Sequence, residues 1–518
     1  MNKVLTSGST RKQLVMASFL ILVVLVLVQV RPASSQENDL FIPVRERAAE
    51  LPPEQQSILD RIKQEKTTSQ VNIVRINPSS LERDQVNLNL FDNATFKTRK
   101  GVTTRRDEKG MTWTGDLTDS KGDATFVVRG DSVTGTVRSD TGFYQIRPLG
   151  SGLHAVIEID QSKLPKEHPP SFNRIEKQKK TIPPAMMKKM RDAGVARDTK
   201  ATVEVLVAYT PLVKAATADV DGLIQLAIDE TNKGYQNSGI NAQLHLAHSY
   251  EVNDQETVPQ NADPFDAILT RFREPGDGKM DEIHALRKQY AADVAVLLIS
   301  RDEYCGLASD IMAKASNAFA VVSNQCATGY YSFGHEIGHL MGARHDPAND
   351  NTSTPFAYGH GYQNLAGKWR TVMAYNCPGG CTRVNNWSNP SVKYGGAPTG
   401  TVSLNDNARV LNQTTPIVAA FYPATPSIDL SKFKNMKKLC QIVGCNGPFK
   451  PWQELVNPSP TFQAAIGAGG SKAAKLGDIK TKAINLSSQM ENSDKAGQVQ
   501  IEKKAYNQLR RLKALNVK

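Results

Sequence analysis

Cysteine is missing from the first 304 residues of this 518-residue chain. The N-terminal half can therefore offer neither a disulfide nor a thiolate metal ligand. The six cysteines that do occur carry no CxxC spacing, which excludes a zinc knuckle. Aromatic residues make up only 7% and are not interleaved with any basic patch, so the net charge of +12 does not mark a nucleic-acid reader. No specific nucleic-acid partner is expected. Histidine is scarce as well, with nine in the whole chain.

The N-terminus has what the rest lacks, a long apolar run. Arg11 and Lys12 precede LVMASFLILVVLVLVQV (Leu14 to Val30), and the small-residue stretch PASSQ follows. A basic n-region, an h-region and a cleavage site predict a signal peptide over residues 1–35 and a secreted product. The competing reading is an uncleaved anchor that leaves the chain facing outside. Export makes cysteine pairing favourable, and the simplest connectivity is local: Cys305 with Cys326, Cys377 with Cys381, Cys440 with Cys445.

Charge divides the chain. Residues 36–200 hold 28 Lys/Arg and 23 Asp/Glu, residues 201–422 hold 15 and 22, and residues 423–518 hold 16 and 6. An acidic middle thus lies between basic flanks. Pattern divides it in the same places. Residues 40–70 read as a helical lead-in, and alternating runs such as VNIVRI, VNLNLF and SVTGTVRS then predict a β-rich domain over 36–165. Residues 166–200, rich in Lys, Pro and Met, read as an exposed basic linker open to cleavage. From 201 to 422 strands alternate with helical stretches: TVEVLVAYT, LIQLAIDETNKGYQNSG, AQLHLAHSYEV, KMDEIHALRKQY, ADVAVLLIS and NAFAVVSN. That order predicts an α/β (α+β) domain with a mixed sheet. The basic extension 423–518 ends in IEKKAYNQLRRLKALNVK, an amphipathic helix suited to anionic surfaces, or a solvated appendage.

Three of the nine histidines fall within FGHEIGHLMGARHD, residues 333–346. On a helix His335 and His339 share one face, and Gly342 ends that helix so that the returning chain offers His345. Three neutral imidazoles leave an open fourth position, the mark of a catalytic rather than a structural zinc. Glu336 is placed to take a proton from water as general base.

The residues HEIGHLMGARHD (His335 to Asp346) resemble the HExxHxxGxxHD motif of the metzincin zinc endopeptidases, and Asp346 resembles their reprolysin/adamalysin branch. TVMAYNC (Thr371 to Cys377) is similar to the family's Met-turn, with Met373 as the apolar floor of the metal site. Tyr375 resembles the tyrosine that astacins and serralysins use as an extra ligand, which adamalysins lack. The whole of 201–422 looks most like secreted bacterial peptidyl-Asp metalloendopeptidase-type enzymes. The resemblance implies a zinc endopeptidase, one catalytic Zn2+, protein or peptide substrates, and an edge strand near Cys305 that pairs with extended substrate. Calcium is possible in such enzymes, but no calcium site is indicated by the sequence.

Many metzincin prodomains block their metal with a cysteine, and here none is available. The expectation is that residues 36–165 are a prodomain that inhibits through a carboxylate or backbone oxygen at the metal, aided by charge attraction. The resemblance to peptidyl-Asp enzymes implies a basic pocket for an acidic side chain after the scissile bond. Arg344, Arg370 and Arg383 are the candidates, and the sequence does not rank them. His360 reads as structural, and His245 and His248, three apart on a strand, do not form a pair. The rival readings are a catalytically inactive metzincin-fold adhesion module, which needs an altered His335, Glu336, His339 or His345, and a structural-zinc protein, which needs a fourth ligand.

Overall fold

A computed structural model of the chain describes residues 38–44, 51–106, 110–168 and 200–422, with a few positions between 475 and 508. The expected signal peptide, most of the linker, the Cys440/Cys445 pair and nearly all of the C-terminal extension lie outside the described residues.

The N-terminal part is one antiparallel sheet of β1 (Phe41–Pro43), β2 (Thr68–Ile76), β3 (Gln85–Phe91), β4 (Ala94–Arg105), β5 (Met111–Leu117), β6 (Gly122–Arg129), β7 (Ser132–Ser139), β8 (Phe143–Gly150) and β9 (Leu153–Ile159). Its spatial order is β1-β2-β9-β8-β7-β6-β5-β4-β3. The strands follow from alternation: in β3, Val86, Leu88 and Leu90 are buried while Gln85 lies outside. The sheet curls until its ends meet, where Leu40 N–H donates to the Asn87 carbonyl over 3.0 Å. Trp113, Phe126 and Phe41 fill the interior.

The helical lead-in is corrected here. Helix α1 spans only Pro53–Gln64, and Phe41–Pro43 form an edge strand paired with Ile76, Arg75 and Val74. Local composition is a weak prior, and the ladder supplied by β2 overrides it.

The second part is a five-stranded sheet, β11-β10-β12-β14-β13, built from β10 (Ala201–Tyr209), β11 (Ala242–Glu251), β12 (Val294–Ile299), β13 (Gly306–Ala308) and β14 (Phe319–Ser323). The first four in this order are parallel and β13 is an antiparallel edge. Helices α2 (Pro211–Ala216), α3 (Val220–Asn237), α4 (Pro264–Arg273), α5 (Glu282–Gln289), α6 (Ser332–Leu340) and α7 (Asn407–Val418) surround it. Both faces are covered, which is why β12 reads as the unbroken apolar run VAVLLI. Val205, Val207, Val294, Val296 and Leu298 face α3, α6 and α7, whereas Leu206, Ala208, Ala295 and Leu297 face α4 and α5. A small sheet of β15 (Gln363–Asn364), β16 (Trp369–Arg370) and β17 (Thr382–Arg383) follows α6.

The two parts are clasped by charge of opposite sign. Arg106 pairs with Asp229 at 2.6 Å, Arg129 with Asp219 and with Asp221, and Lys66 with Asp302. These are basic N-terminal residues on acidic partners, the attraction that the uneven charge suggests.

Candidate metal centre

Helix α6 is short and buried on every side. It places His335 and His339 one turn apart, and their Nε2 atoms lie 3.1 Å from each other. Gly342 (φ +100°) then takes a left-handed turn that a side chain disfavours, and the chain comes back to set His345 Nε2 at 3.2 Å from His335 and 3.0 Å from His339. His335 Nδ1 donates to the Val372 carbonyl and His339 Nδ1 to the Ala343 carbonyl, each over 2.9 Å. Those bonds put the ring protons on Nδ1 and leave the Nε2 lone pairs of both rings facing inward. Burial holds His335 and His345 well below the ordinary histidine value and His339 down to about 4, so the rings are neutral. Converging lone pairs repel unless a cation lies between them, and zinc sits about 2.0–2.1 Å from such nitrogens. The donor set therefore fits one zinc ion. Among the described residues this triad is the group of His, Cys, Asp and Glu able to hold a metal.

Glu336 follows the first ligand and is 3% exposed. It lies against the edge strand: a Cβ on Gly306 would stand 2.5 Å from its Oε1. Burial first, and then the nearby Glu167, push its carboxyl well above the usual range, while Arg383 and a hydrogen bond to the Ala308 backbone act in the opposite sense. Beneath the helix Met373 is fully buried, and Gly338 is held so tightly that an added Cβ would meet Trp387 at 2.6 Å and the Met373 sulfur at 3.1 Å. Asp346 has a definite task. Its Oδ1 accepts from the Tyr375 N–H over 2.8 Å, tying the segment after the third histidine to the turn that carries Met373. His360 donates from Nδ1 to the His345 carbonyl over 2.8 Å, a supporting part.

The three candidate arginines separate. Arg344 is engaged with Asp350 at 2.8 Å and with the Thr354 carbonyl. Arg370 and Arg383 lie side by side on the paired strands β16 and β17, each 1% exposed. Their guanidinium carbons sit 5.3 and 4.3 Å from the Tyr330 ring centre. Arg370 donates to the Tyr330 hydroxyl over 2.5 Å and Arg383 to the Tyr330 carbonyl over 3.0 Å. The carboxylate facing both is Glu167, bonded to Arg383 and 3.8 Å from Arg370.

The sequence puts Glu167 and His168 in an exposed linker, and this is corrected: they are 9% and 5% exposed. After β9 the chain crosses the face of the site, and the partners it meets there bury it. The Lys166 carbonyl accepts from Cys305 N–H over 3.2 Å, and the His168 carbonyl accepts from the Tyr375 hydroxyl over 2.5 Å. His168 also packs against Tyr304, with ring centres 4.4 Å apart and planes tilted by 52°, and meets Asp263 at 3.2 Å. Tyr375 packs its ring 4.3 Å from that of His345. Its hydroxyl is thus spent on this segment. Sequence reasoning misses Glu167, His168 and Tyr330; the one signal for them is the end of strand alternation at Ile159, shortly before the crossing.

Other residues fall outside the centre. His245 pairs with Glu204 and His248 stacks on Tyr290. Cys305 is bonded to Cys326, and Cys377 to Cys381.

Residues 199–388 match the model of a family described as metallo-peptidase family M12, Reprolysin_5. The chain is 41% identical over 374 residues to a peptidyl-Asp metalloendopeptidase of Stenotrophomonas maltophilia (strain R551-3), covering 68% of this chain and 87% of that protein. It is 38% identical over 394 residues to a peptidyl-Asp metalloendopeptidase of Xanthomonas campestris pv. campestris, covering 73% and 92%. A third protein of that name, from Pseudomonas fragi, is 40% identical over 193 residues, covering 37% of this chain and 99% of its own length.

Proposed function

The chain belongs to the family of the bacterial peptidyl-Asp metalloendopeptidases and is a metalloendopeptidase; from this premise we propose that it is a secreted zinc enzyme, made latent, that cleaves proteins beside acidic residues. Three converging imidazoles with a carboxylate on the next residue carry this reading. His335, His339 and His345 would hold the zinc. When bound, zinc supplies a Lewis acid that polarises the scissile carbonyl and acidifies water.

Glu336 does the proton work. Its carboxylate receives the proton from the attacking water and returns it to the departing amine nitrogen. The edge at β13 hydrogen-bonds the extended substrate backbone by strand addition, as the Cys305 N–H already does for the Lys166 carbonyl. The bridge from Cys305 to Cys326 fixes that edge relative to β14.

Export is supported by the apolar run Leu14 to Val30 and by the two bridges, and the basic extension 423–518 would hold the enzyme at anionic surfaces. Latency is supported by residues 165–168 lying across the centre, so that activity follows cleavage within 169–199. Glu336→Gln in the full chain, tested after such processing, should keep one zinc per chain and lose casein hydrolysis by about 10²- to 10⁴-fold. Near-wild-type hydrolysis by that variant would remove Glu336 from the mechanism.

A further inference from the structure

The reaction accounts for the triad and its glutamate, but not for two arginines buried beside them. A guanidinium taken out of water needs a counter-charge, and here two share one carboxylate. Among the described residues both Nε atoms are buried without a hydrogen-bond partner, so each guanidinium keeps one N–H unused. Both guanidinium groups are held from below and behind: Tyr330 lies under them, and the Ala374 carbonyl accepts from both arginines. Such a pocket is built to take an anionic, planar group.

The group that occupies it belongs to the chain itself. Glu167 enters from a segment that bonds the substrate edge on one side, through Cys305, and Tyr375 beside the metal ligand His345 on the other. Backbone on the edge, acidic side chain in a basic pocket, carbonyl at the tyrosine: these are the contacts an acidic substrate would make. The bridge between Lys166 and Tyr304 runs parallel to the edge.

We propose that Arg383 and Arg370 select the acidic side chain of the substrate, and that Glu167 fills this pocket as an internal pseudo-substrate until the N-terminal part is released. The inference rests on the metalloendopeptidase reading and adds to it the residues that set specificity and the contact that imposes latency. It also places the inhibitory carboxylate on the arginines. Release of Glu167 leaves two buried positive charges facing open space, which a substrate aspartate neutralises and an isosteric asparagine does not. Discrimination between the two should be roughly a hundredfold.

The test uses the full chain and Glu167→Ala. N-acetyl-aspartate should bind Glu167→Ala saturably, raising its melting temperature, and should leave the wild type unmoved; N-acetyl-asparagine should move neither. Glu167→Ala should hydrolyse a peptide with aspartate after the scissile bond about tenfold faster or more than wild type, and Glu167→Asp should restore latency. In the Glu167→Ala background, Arg383→Lys keeps the charge and much of the volume but loses the fork, and it should weaken N-acetyl-aspartate binding. Equal response of wild type and Glu167→Ala to N-acetyl-aspartate, or no response by either, overturns the proposal. Absence of o-phenanthroline-sensitive casein hydrolysis in every processed form would instead defeat the metallopeptidase reading, while the N-acetyl-aspartate measurement still decides the pocket.

Discussion

Raising the pH from 5 to 8 should loosen the seam between the N-terminal sheet and the catalytic part, and Glu230 is the reason. This residue lies on α3, 3% exposed, covered by β7. Its carboxylate accepts from the Thr136 hydroxyl across the seam and from Gly329 N–H over 2.6 Å. Burial outweighs both bonds and pushes its pKa from 4.5 up to about 7, with Asp123 adding in the same direction and Arg138 opposing. A carboxyl whose folded value is raised binds its proton more tightly when folded. The stability it contributes is fully present below 4.5 and is lost as pH rises through 7. The difference between the two values corresponds to about 3 kcal/mol, or on the order of 5 °C in melting temperature for a chain of this size.

The assay is the melting temperature of the full chain from pH 4.5 to 8, wild type against Glu230→Gln, which cannot ionise. The comparison matters because other groups titrate in this range. His154 is lowered to about 4 by burial, so its share of the stability is lost as pH falls from 6.5, the opposite trend. Asp293, raised to about 6 by burial, follows the same trend as Glu230. Both are common to the two proteins and cancel in the difference. The gap should narrow or reverse in favour of Glu230→Gln by about 3 kcal/mol as pH rises past 7. Parallel curves for the two proteins would refute the argument.

Two further outcomes follow from packing. Gly338→Ala puts a methyl 2.6 Å from Trp387 and 3.1 Å from the Met373 sulfur, so stability should fall by about 1–3 kcal/mol with a loss of zinc retained after dialysis; unchanged melting and zinc content would show that the floor yields freely. Cys305→Ser with Cys326→Ser opens a loop of 21 residues, and chain entropy gives a loss of about 3 kcal/mol, readable by denaturant midpoint, together with a raised KM if the edge beginning at Cys305 binds substrate as proposed; a KM equal to wild type would free that edge from dependence on the bridge.

Within the metal motif the sequence by itself is decisive, because the relevant distances are short along the chain. His335, Glu336 and His339 lie on one turn of helix, and Gly342 needs only its own left-handed conformation to bring back His345. The same holds for β12, whose apolar run declares a strand covered on both faces. Phe41–Pro43 escapes such reading because its partner, β2, begins 25 residues beyond Pro43, and the strand exists only through that ladder.

The pocket is decided by tertiary structure alone. Arg344, Arg370 and Arg383 are equivalent as letters; what separates them is that Asp350 neutralises the first, while Tyr330 and the backbone of Ala374 hold the other two. Glu167 meets Arg383 across 216 residues of sequence. No local pattern encodes such a contact, since burial of a charged side chain depends on which distant groups arrive to offset its lost hydration, and that is settled only when the two parts of the chain close on each other.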